Sequence, residues 1–213
     1  MIRLVLAIAT AFMMSFGAMA AQTVGQPCAI SANLPQGIPT TEEVHAAALK
    51  CDIINAQSLV LKADELYNAN NDPMLRVIDT SSPSGYAYIY DVMPISSGLQ
   101  MDVRIVSEDD TPAPVCRLRK TLAQFDADAI SNAVSTLAVG TEPFYAPREK
   151  VFNNIDGSHR VELLLDAKDV LTSLSIDGTT RHYSRHDQSN DRVTALNDRI
   201  TEIANRSDGW VCN

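Results

Sequence analysis

YAYIYDVMPISSGLQMDVRI, residues 86–105, is the stretch on which the fold turns. Tyr86, Tyr88, Tyr90 and Val92 fall on one side of an extended chain and Ala87, Ile89 and Asp91 on the other, because successive strand side chains point to opposite faces. Leu99, Met101, Val103 and Ile105 then alternate with Gln100, Asp102 and Arg104. The link Pro94-Ile95-Ser96-Ser97-Gly98 is short enough to make the two strands an antiparallel pair. A third strand is expected near Val115 to Arg119, with Cys116 and Leu118 inward and Arg117 and Arg119 on the other face. The acidic turn Glu108-Asp109-Asp110-Thr111-Pro112 leads into it.

Helices are expected on either side of this block. Upstream, Thr40 and Glu43 form a capping box, and Val44, Ala47, Ala48, Cys51, Ile54, Ser58 and Leu61 mark one face of a helix to about Tyr67. Asn68-Ala69-Asn70-Asn71-Asp72-Pro73 ends it. Downstream, residues 121–138 carry a stripe of Leu122, Phe125, Ala129, Ile130, Ala133, Val134 and Leu137, closed by Gly140. A four-stranded meander is expected next, over 150–155, 159–165, 169–176 and 179–185, turning at Asp156-Gly157 and Asp177-Gly178. Val161, Leu163 and Leu165, then Val170, Thr172, Leu174 and Ile176, supply its inner face. A last helix from near Ser189 or Asn190 buries Val193, Leu196, Ile200 and Ile203. Antiparallel strands packed with about three segregated helices make the class α+β.

The first twenty residues read as an export signal: Arg3, an apolar run from Leu4 to Phe16, and Ala18-Met19-Ala20 as a small-x-small cleavage site. The expected product is one domain over 21–213, periplasmic or secreted, whose first part, 21–39, is an irregular Pro/Gly-rich arm. No later segment is long and apolar enough for a membrane anchor, and Cys28 lies too far past the cleavage site for a lipid one. An exported chain oxidises its cysteines, and Cys28, Cys51, Cys116 and Cys212 permit three pairings. Cys28 with Cys51 would staple the arm to the first helix, and Cys116 with Cys212 would tie a strand to the carboxyl terminus.

The formal net charge is −9, and removal of Arg3 makes the product more negative still. Of the 26 acidic side chains, 15 fall in residues 22–147, against 7 of the 17 basic ones, so the acidity sits in the first two thirds. A chain of this sign is repelled by phosphate backbones and anionic membranes and drawn to basic partners.

No Gly-x-Ser-x-Gly elbow, P-loop, Gly-x-Gly-x-x-Gly or His-Glu-x-x-His occurs, so neither a cofactor nor a metal is expected. His182 and His186 stand four apart, but on a strand that spacing separates the rings by about 13 Å. The cysteines show no Cys-x-x-Cys pair. What remains is a recognition surface. Tyr86, Tyr88 and Tyr90 form a potential aromatic anchor, and Glu42, Glu43, Glu108, Asp109 and Asp110 are the steering acids. The expectation is a non-enzymatic envelope protein binding a basic protein partner as inhibitor or adaptor. Its alternatives are a hydrolase using His159 or His182 as general base, and a structural envelope protein.

Overall fold

A computed structural model describes residues 28–34, 38–80, 85–108, 114–147, 149–153, 159–163, 169–186 and 190–212. The expected export segment and the first residues of the arm lie outside them. The strand-forming stretch closes as expected into β2 (Tyr86–Ile95) and β3 (Gly98–Ser107), paired from Tyr86↔Ser107 to Ile95↔Gly98. β4 (Cys116–Thr121) adds to β3, and β1 (Leu75–Asp79) lines the other side of β2. Beyond β1 stand β8 (Val170–Ile176) and β9 (Thr179–Arg185). Asp177 and Gly178 both adopt positive φ, 49° and 75°, the two-residue turn whose twist suits a hairpin. Short β5 (Tyr145–Ala146) and β10 (Val211–Cys212) complete an eight-stranded sheet, ordered β10-β4-β3-β2-β1-β8-β9-β5. All its pairs are antiparallel except β5 with β9.

The four carboxyl-terminal strands form two hairpins and not one meander. β6 (Glu149–Asn153) and β7 (His159–Leu163) pair as a separate two-stranded sheet. A strand has two hydrogen-bonding edges, and both edges of β8 are taken, by β1 and β9, which leaves none for β7. The side chains of His159, Val161 and Leu163, and the whole of Leu165, lie outside the described residues.

Helix α1 (Thr41–Tyr67) covers one face of the sheet. Its start is the expected capping box: Glu43 N–H donates to Thr40 Oγ1 at 3.2 Å, and Thr40 N–H donates to Glu43 Oε2 at 2.7 Å. Asn68 ends it in the left-handed conformation, φ 45°, which asparagine tolerates better than other non-glycine residues. Helices α2 (Gln124–Val139) and α3 (Arg192–Asn205) cover the opposite face. There Leu75, Val77, Tyr90, Val92, Met101, Val103, Leu118 and Leu174 meet Ile130, Val134 and Leu137 of α2 and Val193, Leu196, Ile200 and Ile203 of α3. Each such side chain contributes about 1.5–3 kcal/mol on burial. Phe125, expected in the α2 stripe, is 76% exposed, because helix α2 starts at Gln124 and turns Asp126 and Ala127 inward instead.

Disulfides join Cys28 to Cys51 and Cys116 to Cys212. The first ties the amino-terminal coil to α1, and the second ties β4 to β10 across 96 residues of sequence. Among the described residues, no helix is long and apolar enough to cross a membrane.

Candidate functional site

The face of the sheet under α1 is where the ionisable side chains gather. Strand register sets Arg76, Asp91, Asp102 and Arg119 side by side across β1, β2, β3 and β4. Two residues further along, on the same face, Arg104 pairs with Arg117. Two carboxylates directly opposed would repel, so each is bracketed by guanidinium groups. Asp91 accepts from Arg76 Nε at 2.6 Å and Nη2 at 3.0 Å, and from Arg104 Nη2 at 2.6 Å. Asp102 accepts from Arg117 Nε at 2.8 Å and Nη2 at 2.5 Å, and from Arg119 Nη2 at 3.1 Å. Asn71 Nδ2 bridges Asp91 and Asp102, 3.0 Å from each. Helix α1 joins the network through Asp64, which pairs with Arg104. Asp91, Asp102 and Arg104 are fully buried. Burial opposes the charge on Asp102, but the bonds from Arg117, Asn71 and Arg119 prevail and hold its carboxyl at about 2.

A second cluster lies where α1 meets β9. His186, just past β9, points Nδ1 at Asp169 Oδ1, 2.7 Å away, and Nε2 at Asp52 Oδ2, 2.8 Å away. Ser184 Oγ donates to Asp52 Oδ2 at 2.6 Å and lies 3.0 Å from His186 Nε2. Serine, histidine and aspartate thus stand in the order of a hydrolytic triad. The protonation differs from what a triad needs. Burial disfavours the imidazolium, but the carboxylates of Asp169 and Asp52 outweigh it and lift the pKa to about 9. At neutral pH both ring nitrogens carry protons, so His186 has no lone pair to take a serine proton. Ser184 is also buried and directs its hydroxyl to Asp52. The cluster is a charged clamp between α1 and the sheet.

His182, four residues before His186, lies in β9 and accepts or donates a 2.9 Å bond between Nδ1 and Ser173 Oγ. Burial lowers its pKa, so it is neutral. His182 and His186 engage different partners, Ser173 and Asp52 with Asp169. Among the described residues no group of three His, Cys, Asp or Glu is arranged to hold a metal ion.

The tyrosine ladder faces α2 and α3. Tyr90 is buried with its hydroxyl on Thr201 of α3, and Tyr88 packs beside it with ring centroids 6.3 Å apart. Tyr86 is half-buried at the strand start. Of the steering acids, Glu42 and Glu43 are exposed in the first turn of α1, and Glu108 is exposed just after β3. About 36 Å of helix separates Glu43 from Tyr67, and Tyr67 donates to the carbonyl of Ile105, near Glu108. These acids therefore occupy distant places. Asp109 and Asp110 lie outside the described residues.

At the β5 edge two aromatic side chains flank the sheet, Tyr145 on the α1 side and Phe144 on the α2/α3 side. His45, one turn from Glu42 on α1, packs on Tyr145 with centroids 5.0 Å apart, and Tyr145 packs on His186 at 5.4 Å. Next to it Phe144 rests one face on buried Tyr183, centroids 5.5 Å apart, yet stays 53% exposed. Val139, at the end of α2, is 85% exposed. Between them Glu142 reaches Arg192 at 3.6 Å. Phe144 gave no periodic signal in the sequence. Its only mark was an aromatic pair, Phe144-Tyr145, next to a proline.

Comparison of the chain with known protein families, with curated proteins and with solved structures finds no match.

Proposed function

We propose that the chain is an exported protein that acts by binding, and that its partner in the cell envelope presents a basic surface. The observation that carries this reading is the β5 edge, where exposed Phe144 precedes half-buried Tyr145, whose ring packs on His45 one turn along α1 from exposed Glu42. An aromatic anchor beside carboxylates suits a partner whose apolar group is flanked by lysine or arginine. The net charge of −9 would steer such a partner inward. Two disulfides suit an oxidising compartment. The protonated state of His186 withholds the base that the Ser184 arrangement would need, so that cluster lends no support to a hydrolase.

The test is capture from an envelope fraction on three immobilised proteins: the wild type, the double variant Glu42→Gln with Glu43→Gln, and Phe144→Ser. Glutamine at position 43 keeps the capping box, so the helix start survives. The expected result is a basic protein held stoichiometrically by the wild type, released at about 0.5 M salt where screening is strong, and lost from both variants. Retention of the same protein by all three, or retention indifferent to salt, contradicts the reading.

A further inference from the structure

The charged row under α1 does not balance. Arg76, Arg104, Arg117 and Arg119 face Asp64, Asp91 and Asp102, four cations to three anions. Donors are also in excess within it, since the buried Nε of Arg104 has no hydrogen-bond partner among the described residues. The surplus is not spread evenly. Arg76 and Arg104 are drawn into Asp91 and Asp64 and are closed off, with side chains 18% and 0% exposed. At the other end Arg119 is 50% exposed and bonds Asp102 through Nη2 alone. Arg117, 24% exposed, bonds Asp102 through Nε and Nη2, which leaves Nη1. Both guanidinium groups reach the same Asp102 Oδ2, at 2.5 and 3.1 Å, so they lie within the span of one small anion. That oxygen already accepts from Asn71 as well, so it has no capacity for the remaining donors.

We propose that the Arg117–Arg119 pair on β4 is a binding site for an oxyanion, a carboxylate or a phosphate-type group. The geometry suits it: two neighbouring guanidinium forks, held by one buried carboxylate and 24% and 50% exposed, retain N–H groups that Asp102 does not use. Asp102 organises the pair and cannot neutralise both members. The Asp102 carboxylate also keeps Arg117 charged, raising its pKa despite partial burial. In a chain of net charge −9, a locally positive pair fixed this way selects a negative group that the rest of the surface repels. The site lies on the β4 side of the sheet, and the β5 edge lies at the opposite end of the strand order, so the two can be occupied together.

The arginine Nε–Hε signals of the full chain report on this directly. Inorganic phosphate and, separately, acetate are titrated at ionic strength held constant with sodium chloride. Saturable shifts at Arg117 and Arg119 are expected, with Arg199 and Arg206, which two carboxylates, Asp126 and Glu202, already match, as the internal comparison. Arg119→Gln, at a half-exposed position, leaves the melting temperature within a few degrees and weakens the affinity at least fivefold. Tighter phosphate assigns a tetrahedral group, and tighter acetate a carboxylate. Shifts that stay linear, that are equal at Arg199 and Arg206, or that persist unchanged in Arg119→Gln overturn the proposal.

Discussion

The two faces of one sheet are built from the same strands and hold together by different physics. On the α2/α3 face, β1, β2, β3 and β8 contribute Leu75, Val77, Val92, Met101, Val103 and Leu174, a mainly apolar layer with Asp79 and buried Arg185 at one margin. On the α1 face, alternate residues of those strands include Arg76, Asp91, Asp102 and Arg104, beside a smaller apolar cluster of Ala56, Ala63, Ile78, Ala87, Ile89, Val106 and Leu171. The apolar face supplies most of the driving force. The charged face supplies register, because a one-residue slip of β2 or β3 would drive Asp91 or Asp102 into the apolar layer. A buried ion row is weak evidence for stability, yet removing one member leaves its partners charged and dry.

The contrast can be broken most severely at Asp91, which neutralises both Arg76 and Arg104. Asp91→Ala should cost about 3–5 kcal/mol in urea unfolding, the loss typical of a buried pair left half-made. On the other face, Leu174→Ala should cost about 3 kcal/mol through lost contact and cavity. Its penalty should be the same at pH 5 and pH 9, because nothing ionisable changes.

The charged face responds to pH in two windows. Asp102 titrates at about 2 in the folded chain, below its ordinary 3.8. Its contribution, about 2 kcal/mol, is present above pH 3.8 and lost as pH falls through 2. His186 titrates at about 9, above its ordinary 6.5. The clamp's contribution, about 2–3 kcal/mol, is complete below pH 6.5 and lost as pH rises through 9. Urea midpoints measured from pH 5 to 10 should fall over the upper window in the wild type and stay flat in His186→Gln. The smallest effect is expected at the capping box, which lies at the exposed start of α1. Thr40→Ala should cost about 1 kcal/mol, by the same urea measurement.

These two faces also differ in how far they could be read from the chain. Local signals carried the capping box at Thr40 and Glu43, the Asp177-Gly178 turn, the β2–β3 alternation and the α3 stripe, since each rests on residues a few positions apart. The ionic row was invisible as a row. Asp102, Arg104, Arg117 and Arg119 alternate with apolar residues, but nothing local says which helix covers them, and Leu61, expected on the apolar face of α1, is 59% exposed. The buried residues of α1 are Ala47, Ala48, Cys51, Ala56 and Ala63, small side chains that allow close approach without announcing a covered face. The partners also come from far apart, with Asp64 40 residues from Arg104 and Asn71 31 from Asp102. The His186 clamp joins positions 134 residues apart. Only strand order could have predicted it, and that order depends on β1, whose five residues sit between both halves of the sheet.

Whether the clamp between α1 and the sheet is a lock or a catalytic base is a question the His186 imidazole itself answers. A nitrogen-detected NMR titration of His186 in the full chain from pH 5 to 10 should show both ring nitrogens protonated through pH 7, with a midpoint near 9. A ring that is neutral at pH 7, with one nitrogen free to take the proton of Ser184, would contradict the account.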